Sequence, residues 1–344
     1  MKIHVKAIED SFDKWDNYVI SHPDASNYHQ GAWRKVVERS FSHRTHYLAA
    51  KDDTGRIMGV LPLVHMKSRL FGSFLISLPF FNYGGVLADS DEAAQQLLCQ
   101  ADELRRENGA EYLELRHCGA IIDSLPSKQH KVTMILALES TEEGQWKAFN
   151  AKLRNQTRKA EKSGLVPIIG GLELLDGFYD VFVRNMRDLG TPVYGREFFY
   201  NILDELRDSA RIVAVRHNNR IIAAGIITWF RDTVELPWAS SIADFKSMCP
   251  NNMLYWEAIK FAIELGAKKF DFGRSTPNEG TFNFKKQWGA VAAPLSWQYL
   301  MEEGKTMPDL NPKNPKYAIA IRAWRKLPLT LTRILGPRIV RSIP

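Results

Sequence analysis

Residues 47–63, YLAAKDDTGRIMGVLPL, lie over residues 211–227, RIVAVRHNNRIIAAGII, and that overlay decides the fold. Each stretch reads as two apolar strands joined by a polar turn: Asp52-Asp53-Thr54-Gly55 in one, His217-Asn218-Asn219 in the other. That is the pattern of a β-hairpin. A second pair follows in the same order, ENGAEYLELRH (107–117) over ELGAKKFDFGR (264–274). Each of these ends a helix at a glycine, Gly109 or Gly266, and continues as an alternating strand carrying an acid, Glu114 or Asp271. The offsets are 164 (Arg56 to Arg220) and 157 (Gly109 to Gly266). Two nearly constant offsets in the same order mark a duplicated α/β unit, with a period far longer than that of a solenoid.

Working outward, each unit reads as an entry helix, a hairpin, further strands, an amphipathic helix and a closing strand. The first amphipathic helix is expected over about 91–107, with Asp91 early and basic residues late, as the helix dipole favours. The second is expected over about 251–265, opened by Pro250 and the Asn251-Asn252 pair. A basic helix is expected over 143–163, between the repeats. The fold class is therefore α/β (α+β), with two tandem domains, each a mixed central sheet flanked by helices. Residues 1–140 form the first, residues 141–305 the second, and residues 306–344 a basic tail.

The chain has 344 residues, 45% apolar and 25% charged, which is ordinary globular composition. No apolar run approaches the roughly 20 residues of a membrane-spanning helix. The amino terminus, MKIHVKAIEDSFDKWD, has early acids and no apolar core, so it does not read as a secretory signal. Cys99, Cys118 and Cys249 are far apart and without ligand spacing, which argues against a disulfide framework and a zinc site; no metal is expected. These features point to a cytoplasmic protein. The net charge of +7 is compatible with polyanionic company such as phosphates, nucleic acid or anionic lipid, and equally with unspecialised basicity.

The chemistry concentrates in residues 270–289, FDFGRSTPNEGTFNFKKQWG. A strand ends in Asp271 and Gly273, and a loop over 275–283 follows, with Gly280 free to take positive φ as part of a lid or wall. Phe284-Lys285 and Trp288-Gly289 come next. Tandem hairpin–strand–helix–strand units resemble the GNAT acyltransferase fold in duplicate. The run LYWEAIKFAIELGAKKFDFGRS…GTFNFKKQWGA resembles the Fem-type branch (FemAB/FemX), which includes the aminoacyltransferases that build peptidoglycan bridges. KLRNQTRKAEKSGL (152–165) is similar to the basic helix that precedes the second domain there, and the resemblance runs from about residue 25 to residue 300. Within that branch the chain is most similar to FemAB-related proteins associated with exosortase/PEP-CTERM systems and exopolysaccharide loci, with WRKLPLTLTRILGP near the carboxyl terminus adding to the likeness. The resemblance implies transfer of an acyl or aminoacyl group to an amine on a cell-wall, glycan or peptide acceptor.

Such a transfer needs a neutral amine, a stabilised oxyanion and an accommodated leaving group. Lys285 is the first candidate: an ammonium beside the carbonyl stabilises the oxyanion or a phosphate-rich leaving group, and the resemblance places the lysine of the Phe-Lys motif at the active site. Asp271 either takes the proton of the attacking amine or holds its ammonium; Arg274 grips phosphate or carboxylate, with Ser275 beside it, unless Asp271 and Arg274 merely brace each other. The strand TVELPWASS (233–241) brings Glu235 as a further base and Trp238 as a wall, with alternation placing Glu235 and Pro237 on one face and Leu236 and Trp238 on the other. Tyr255 reaches a carbonyl or pyrophosphate from the start of its helix, or is simply part of an apolar face. Tyr194 and Arg196, in DLGTPVYGREFF (188–199), are assigned to the acceptor side. Lys152, Arg154, Arg158 and Lys159 form a basic ridge, with Lys147 one turn above Arg154, suited to a phosphodiester track or to solvent alone.

The donor is left undecided between aminoacyl-tRNA and acyl-CoA, with no tightly bound cofactor expected. DFKSMCPNNM (244–253), before the second amphipathic helix, lacks the glycine turn that cradles pyrophosphate in acetyl-CoA enzymes of this fold, which favours the tRNA donor. The basic helix has neither the length nor the heptads of the coiled-coil arm found in many Fem enzymes. The alternatives are an acyl-CoA-dependent N-acyltransferase in exopolysaccharide synthesis, and a non-catalytic nucleic-acid or membrane-binding protein on the same fold. Residues 311–344, basic and free of acids, are expected to touch the inner face of the membrane, to pack on the first domain, or to be partly disordered.

Overall fold

In the computed structural model, residues 2–9, 11–68, 71–118, 122, 125–302, 304–308 and 315–343 are described, the side chains of 315–317 excepted. Lys313 and the side chain of Lys316 lie outside these. The chain divides into two compact units: Met1–Lys131 with Pro294–Asp309 and Arg341–Pro344, and Val132–Ala293 with Leu310–Val340.

The first unit opens with β1 (His4–Ala7), α1 (Asp13–Ser21) and α2 (Ala32–Phe41). The expected hairpin follows as β2 (Arg44–Lys51) and β3 (Ile57–Ser68), then β4 (Gly72–Ile76), β5 (Leu87–Ala88), α3 (Asp91–Glu107) and β6 (Tyr112–Cys118). Ser90 caps α3 by accepting the Ala93 N–H, with Asp91 and Glu92 in the first turn and Arg105 and Arg106 in the last. One face of α3 buries Ala93, Leu97, Leu98 and Ala101 against Leu48, Leu61, Leu63 and Leu113 of the sheet. β4 and β6 are parallel and stay in register for Phe74–Tyr112, Leu75–Leu113 and Ile76–Glu114. β7 (Ser127–Ala137) carries the chain across the boundary of the units.

The second unit holds α4 (Glu142–Ala148), α5 (Ala151–Lys162), β8 (Val166–Gly170), α6 (Leu175–Leu189), α7 (Arg196–Glu205), the hairpin β9 (Ala210–His217) and β10 (Arg220–Phe230), β11 (Thr233–Ser241), α8 (Pro250–Glu264), β12 (Lys269–Ser275) and α9 (Gly280–Lys286). Its strand order is β7-β12-β11-β10-β9-β8, antiparallel except for the parallel pair β11–β12. The core of this unit gathers Leu153 and Ala160 of α5, Met253, Leu254, Ala258, Ile259 and Ala262 of α8, and Val213, Val215, Val234, Leu236, Phe270 and Phe272 of the sheet.

Three sequence expectations are corrected here. The basic helix over 143–163 is two helices: Phe149 is extended (φ −72, ψ 145), and Asn150 starts a new helix by accepting the Leu153 N–H. Lys147 therefore belongs to α4, where it pairs with Glu143, and not to the ridge on α5. The loop over 275–283 is shorter than expected, because β12 runs to Ser275 and α9 begins at Gly280; the positive φ lies at Asn278 (65°) and Gly273 (75°), not at Gly280. The units also do not follow one another simply along the chain. The last strand, β13 (Val291–Met301), pairs with β6 through Leu295–Met301 and returns that segment to the first unit. The tail forms α10 (Pro315–Arg325) and α11 (Leu329–Val340), both resting on α6 of the second unit.

Candidate active site

β11 and β12 pair at Thr233–Lys269, Val234–Phe270 and Glu235–Asp271, and no further, although they run on to Ser241 and Ser275. Beyond the last pair the ladder between the two strands ends, leaving a fork at their carboxyl ends, the place where α/β sheets receive ligands. Glu235 and Asp271 flank its root as direct neighbours, and both are buried, 6% and 3% exposed.

Each strand carries a bulge at this point. On β11, Trp238 pairs with Ile226 and Glu235 with Thr228, so one extra residue is accommodated at Leu236-Pro237. Proline has no N–H to lose from the ladder, which makes a bulge a tolerated position for it. The bulge also corrects the expected alternation. Ile226 and Thr228 share a face of β10, so Glu235 and Trp238 share one too. Trp238 is buried against Phe198 and Phe199 of α7.

On β12, Asp271 pairs with Ile135 and Arg274 with Thr133, again one residue too many, and Gly273 takes φ 75°. That left-handed conformation is cheap only for glycine. Asp271 holds the bulge from one side: its Oδ1 accepts the Gly273 N–H at 2.7 Å and the Thr133 hydroxyl at 2.5 Å. Lys285 holds it from the other, its Nζ donating to the carbonyls of Gly273 (2.9 Å) and Arg274 (3.0 Å). One of these carbonyls belongs to the bulge and the other to Arg274, where regular pairing with β7 resumes, and α9 supplies the lysine that binds both.

Lys285 is buried, 7% exposed, and is the only lysine in the buried set among the described residues. Desolvation lowers its pKa to about 8; the Asp271 carboxylate opposes that shift and the Arg274 guanidinium adds to it. An ammonium has three donors, so two carbonyl bonds leave one N–H for a ligand.

The other predicted residues are distributed unevenly. Arg274 is exposed at the strand end. Ser275 is buried at 3%, and its Oγ has no hydrogen-bond partner among the described residues. The same holds for Asn251 Oδ1 in the first turn of α8 and for Trp288 Nε1. Tyr255 is buried in an aromatic cluster, stacked on Phe272 at 5.3 Å between ring centres and edge-on to Phe284; burial raises its phenol pKa. It is a wall of this region. Tyr194 packs on Phe198, and its carbonyl accepts from the Tyr179 hydroxyl. Arg196 makes an exposed ion pair with Asp176 at 2.6 Å. On α5, Lys152, Arg158 and Lys159 are exposed, Arg154 is half-buried, and the Arg158 guanidinium lies over the Trp146 ring. Sequence reasoning missed Thr133, which secures Asp271, and Thr228, opposite Glu235. Both are fully buried hydroxyls inside otherwise apolar strands, VTMILAL and AAGIITWF, and that isolation was the available signal.

Among the described residues no group of three His, Cys, Asp or Glu could hold a metal ion, and no helix is long and apolar enough to cross a membrane.

Comparison with known proteins agrees with this architecture. The pattern of the Acetyltransferase (GNAT) domain matches residues 147–286, which include α5, the hairpin, both bulged strands and Lys285. A curated relative, the Lipid II:glycine glycyltransferase of Staphylococcus haemolyticus (strain JCSC1435), is 30% identical over 93 residues, 25% of this chain and 22% of its own. The chain thus spans about a fifth of that relative's length. The crystal structure of FemX superimposes with a TM-score of 0.64 at 16% identity, over 87% of this chain and 97% of FemX. A tandem GNAT protein from the clavulanic acid biosynthesis pathway does so with a TM-score of 0.51 at 9% identity, over 89% and 100%. The fold is therefore a mixed α/β fold shared with tandem GNAT proteins. Residues 147–286, within the second unit, match the GNAT domain pattern, and a limited stretch of the chain is similar to the glycyltransferase.

Proposed function

We propose that this protein is an N-acyltransferase of Fem type, moving an acyl or aminoacyl group onto an amine of a glycan-, peptide- or lipid-linked acceptor of the cell envelope or of an exopolysaccharide. The observation that carries the reading is the buried Lys285 ammonium, fixed on the carbonyls of Gly273 and Arg274 near Asp271, which is itself paired with Glu235 where two parallel strands stop pairing. A carboxylate, Asp271 or Glu235, accepts the proton of the acceptor ammonium. The neutral amine attacks the carbonyl carbon of the donor, and its electron pair forms the new C–N bond. The carbonyl oxygen becomes an oxyanion facing the remaining Lys285 N–H. Collapse restores the carbonyl and expels the donor's oxygen or sulfur, which takes up the proton that the attacking nitrogen loses as it becomes the amide. Arg274 and Ser275 meet polar groups of the substrates at the rim, while Tyr255 and Trp238 form walls.

The donor we favour is aminoacyl-tRNA, with Lys152, Arg154, Arg158 and Lys159 on α5 contacting its phosphates. The GNAT domain match favours a second reading, an acyl-CoA donor. We place the protein in the cytoplasm, acting at the inner face of the membrane when its acceptor is lipid-linked.

The test is a binding titration of wild-type and Lys285→Met protein with acetyl-CoA, longer acyl-CoAs, and charged and uncharged tRNA, across salt concentrations. Preference for charged tRNA, weakened by salt, supports the favoured donor. Micromolar acyl-CoA binding selects the second. An unchanged transfer rate in Lys285→Met removes this site from the chemistry.

A further inference from the structure

The carboxy-terminal helices carry a surface that the transfer chemistry does not use. From residue 310 to residue 344 the chain has eight lysines and arginines and no acid. Each helix docks by one side only. On α10, Ile321 lies against Gly190, Trp324 is buried, and Arg325 donates to the Leu189 carbonyl. On α11, Thr332, Gly336 and Val340 are buried at successive four-residue steps, and Gly336 sits so close to Val193 that a Cβ would fall 2.7 Å from its Cγ1. Arg333 anchors the same helix to Asp180.

The opposite sides repeat a different pattern. On α10 the outward stripe is Ile319, Arg322, Ala323 and Lys326; on α11 it is Leu331, Ile334, Leu335 and Arg338. Both follow the i, i+3, i+4, i+7 spacing that makes one face of a helix. The apolar members are unusually open: Ile319 is 77% exposed and Ile334 57%. Arg322, Lys326 and Arg338 make no ion pair among the described residues. Leu189, exposed at the end of α6 beside α10, extends the apolar surface.

We propose that these two helices are a docking face for an anionic lipid bilayer, lying in the headgroup layer with their apolar side chains inserted and their cations on the lipid phosphates. Charge decides the occupant. A second copy would bring one acid-free cationic face against another and be repelled. A nucleic acid would take the cations and leave bare isoleucines and leucines at its phosphates. A bilayer of anionic lipid satisfies both sets at once. This inference does not depend on the acyl-transfer reading, and Lys285→Met is expected to bind membranes as wild type does.

The test is flotation of the full chain with vesicles of phosphatidylcholine alone and of phosphatidylcholine mixed with phosphatidylglycerol. We expect binding to the mixed vesicles only, weakened by salt. Each cation near the surface contributes about fivefold in partitioning, so Arg322→Gln/Lys326→Gln/Arg338→Gln lowers binding by roughly 100-fold. Ile319→Ser/Ile334→Ser/Leu335→Ser, all at exposed positions, is expected to abolish flotation while leaving the thermal transition unchanged. Equal binding to neutral vesicles, or none to either, overturns the proposal. So does indifference to the serine triple variant, which reduces the contact to bare electrostatics. Concentration-dependent dimerisation or salt-sensitive RNA binding that the serine variant removes would assign the face to another occupant.

Discussion

Replacing Lys285 by methionine separates two effects that nearly cancel at neutral pH and then diverge. Methionine keeps the unbranched length of the side chain and removes its charge and donors. Burial holds the folded-state pKa at about 8, against 10.5 for a free lysine. At 1.36 kcal/mol per unit, the folded protein carries a penalty of about 3 kcal/mol for keeping this group charged at pH 7. The variant sheds that penalty, but it strips the partner from the carbonyls of Gly273 and Arg274, each worth about 1–3 kcal/mol when orphaned. Stability at pH 7 is therefore expected to change little. The pH dependence is expected to change a great deal. Because the folded pKa lies below the unfolded one, the unfolded chain binds more protons between about pH 8 and 10.5. Stability therefore rises with pH across that window and is lost as pH falls through the folded value. From pH 7 to 9.5 the wild type gains about 2 kcal/mol from this group, and Lys285→Met gains nothing from it. Urea unfolding followed by tryptophan fluorescence, for both proteins at both pH values, gives the double difference, in which the buried tyrosines and histidines common to both cancel. Parallel pH dependences, with a double difference below about 0.5 kcal/mol, would refute the reading of Lys285 as a desolvated amine poised near neutrality.

Other changes probe the same construction. Gly273→Ala forces a Cβ into φ 75° and is expected to cost about 1–2 kcal/mol, seen as a melting temperature lower by several degrees. Thr133→Val preserves shape but deprives the buried Asp271 of its hydroxyl donor; a loss of about 1–2 kcal/mol in urea unfolding is expected, and neutrality would show that Asp271 does not need it. If Lys285 acts as an ammonium, the transfer rate falls as pH rises through about 8, and this limb disappears in Lys285→Met. If α5 tracks phosphates, Arg154→Gln/Arg158→Gln lowers the slope of log affinity for tRNA against log salt by about 1–2; an unchanged slope removes α5 from the donor path.

Much of this was readable in the chain. The duplicated hairpins, α3 and α8, and the three short blocks at Asp271, Phe284-Lys285 and Trp288 follow from local patterns: alternation, caps and glycine stops. What escaped was set by neighbours in space. Nothing in TVELPWASS announces a bulge at Leu236-Pro237, because a bulge is a mismatch with β10 and not a property of β11 alone. The break at Phe149-Asn150 was hidden by a composition that remains helical on both sides. The fate of Arg196 depended on Asp176, twenty residues back and one helix away. Lys285 was picked out by its aromatic flanks, but its role as partner of the Gly273 and Arg274 carbonyls needed the strand and the helix together.

The repeats show why the chemistry is best sought in the second unit. The same strand end occurs in both: Glu114 and Arg116 of the first correspond to Asp271 and Gly273 of the second. In the first unit the residue opposite the acid is Ile76, and Arg116 Nε donates to Glu114 at 2.8 Å while Nη1 donates to the Phe81 carbonyl at 2.7 Å. The guanidinium then packs on the half-buried Trp297 ring, and Glu114 and Arg116 are themselves buried. That acid is neutralised two residues away by its own strand. In the second unit a glycine stands where the arginine would be. The space opens into a bulge, a second carboxylate, Glu235, replaces the isoleucine, and the compensating cation arrives from a separate helix. An ion pair within one strand is rigid and fills its site. A lysine brought in over a glycine bulge keeps a donor to spare and, held near pH 8, sits close to the point where it gains or loses a proton. The same strand occurs twice, and the exchange of one arginine for a glycine separates a brace from the proposed reactive centre.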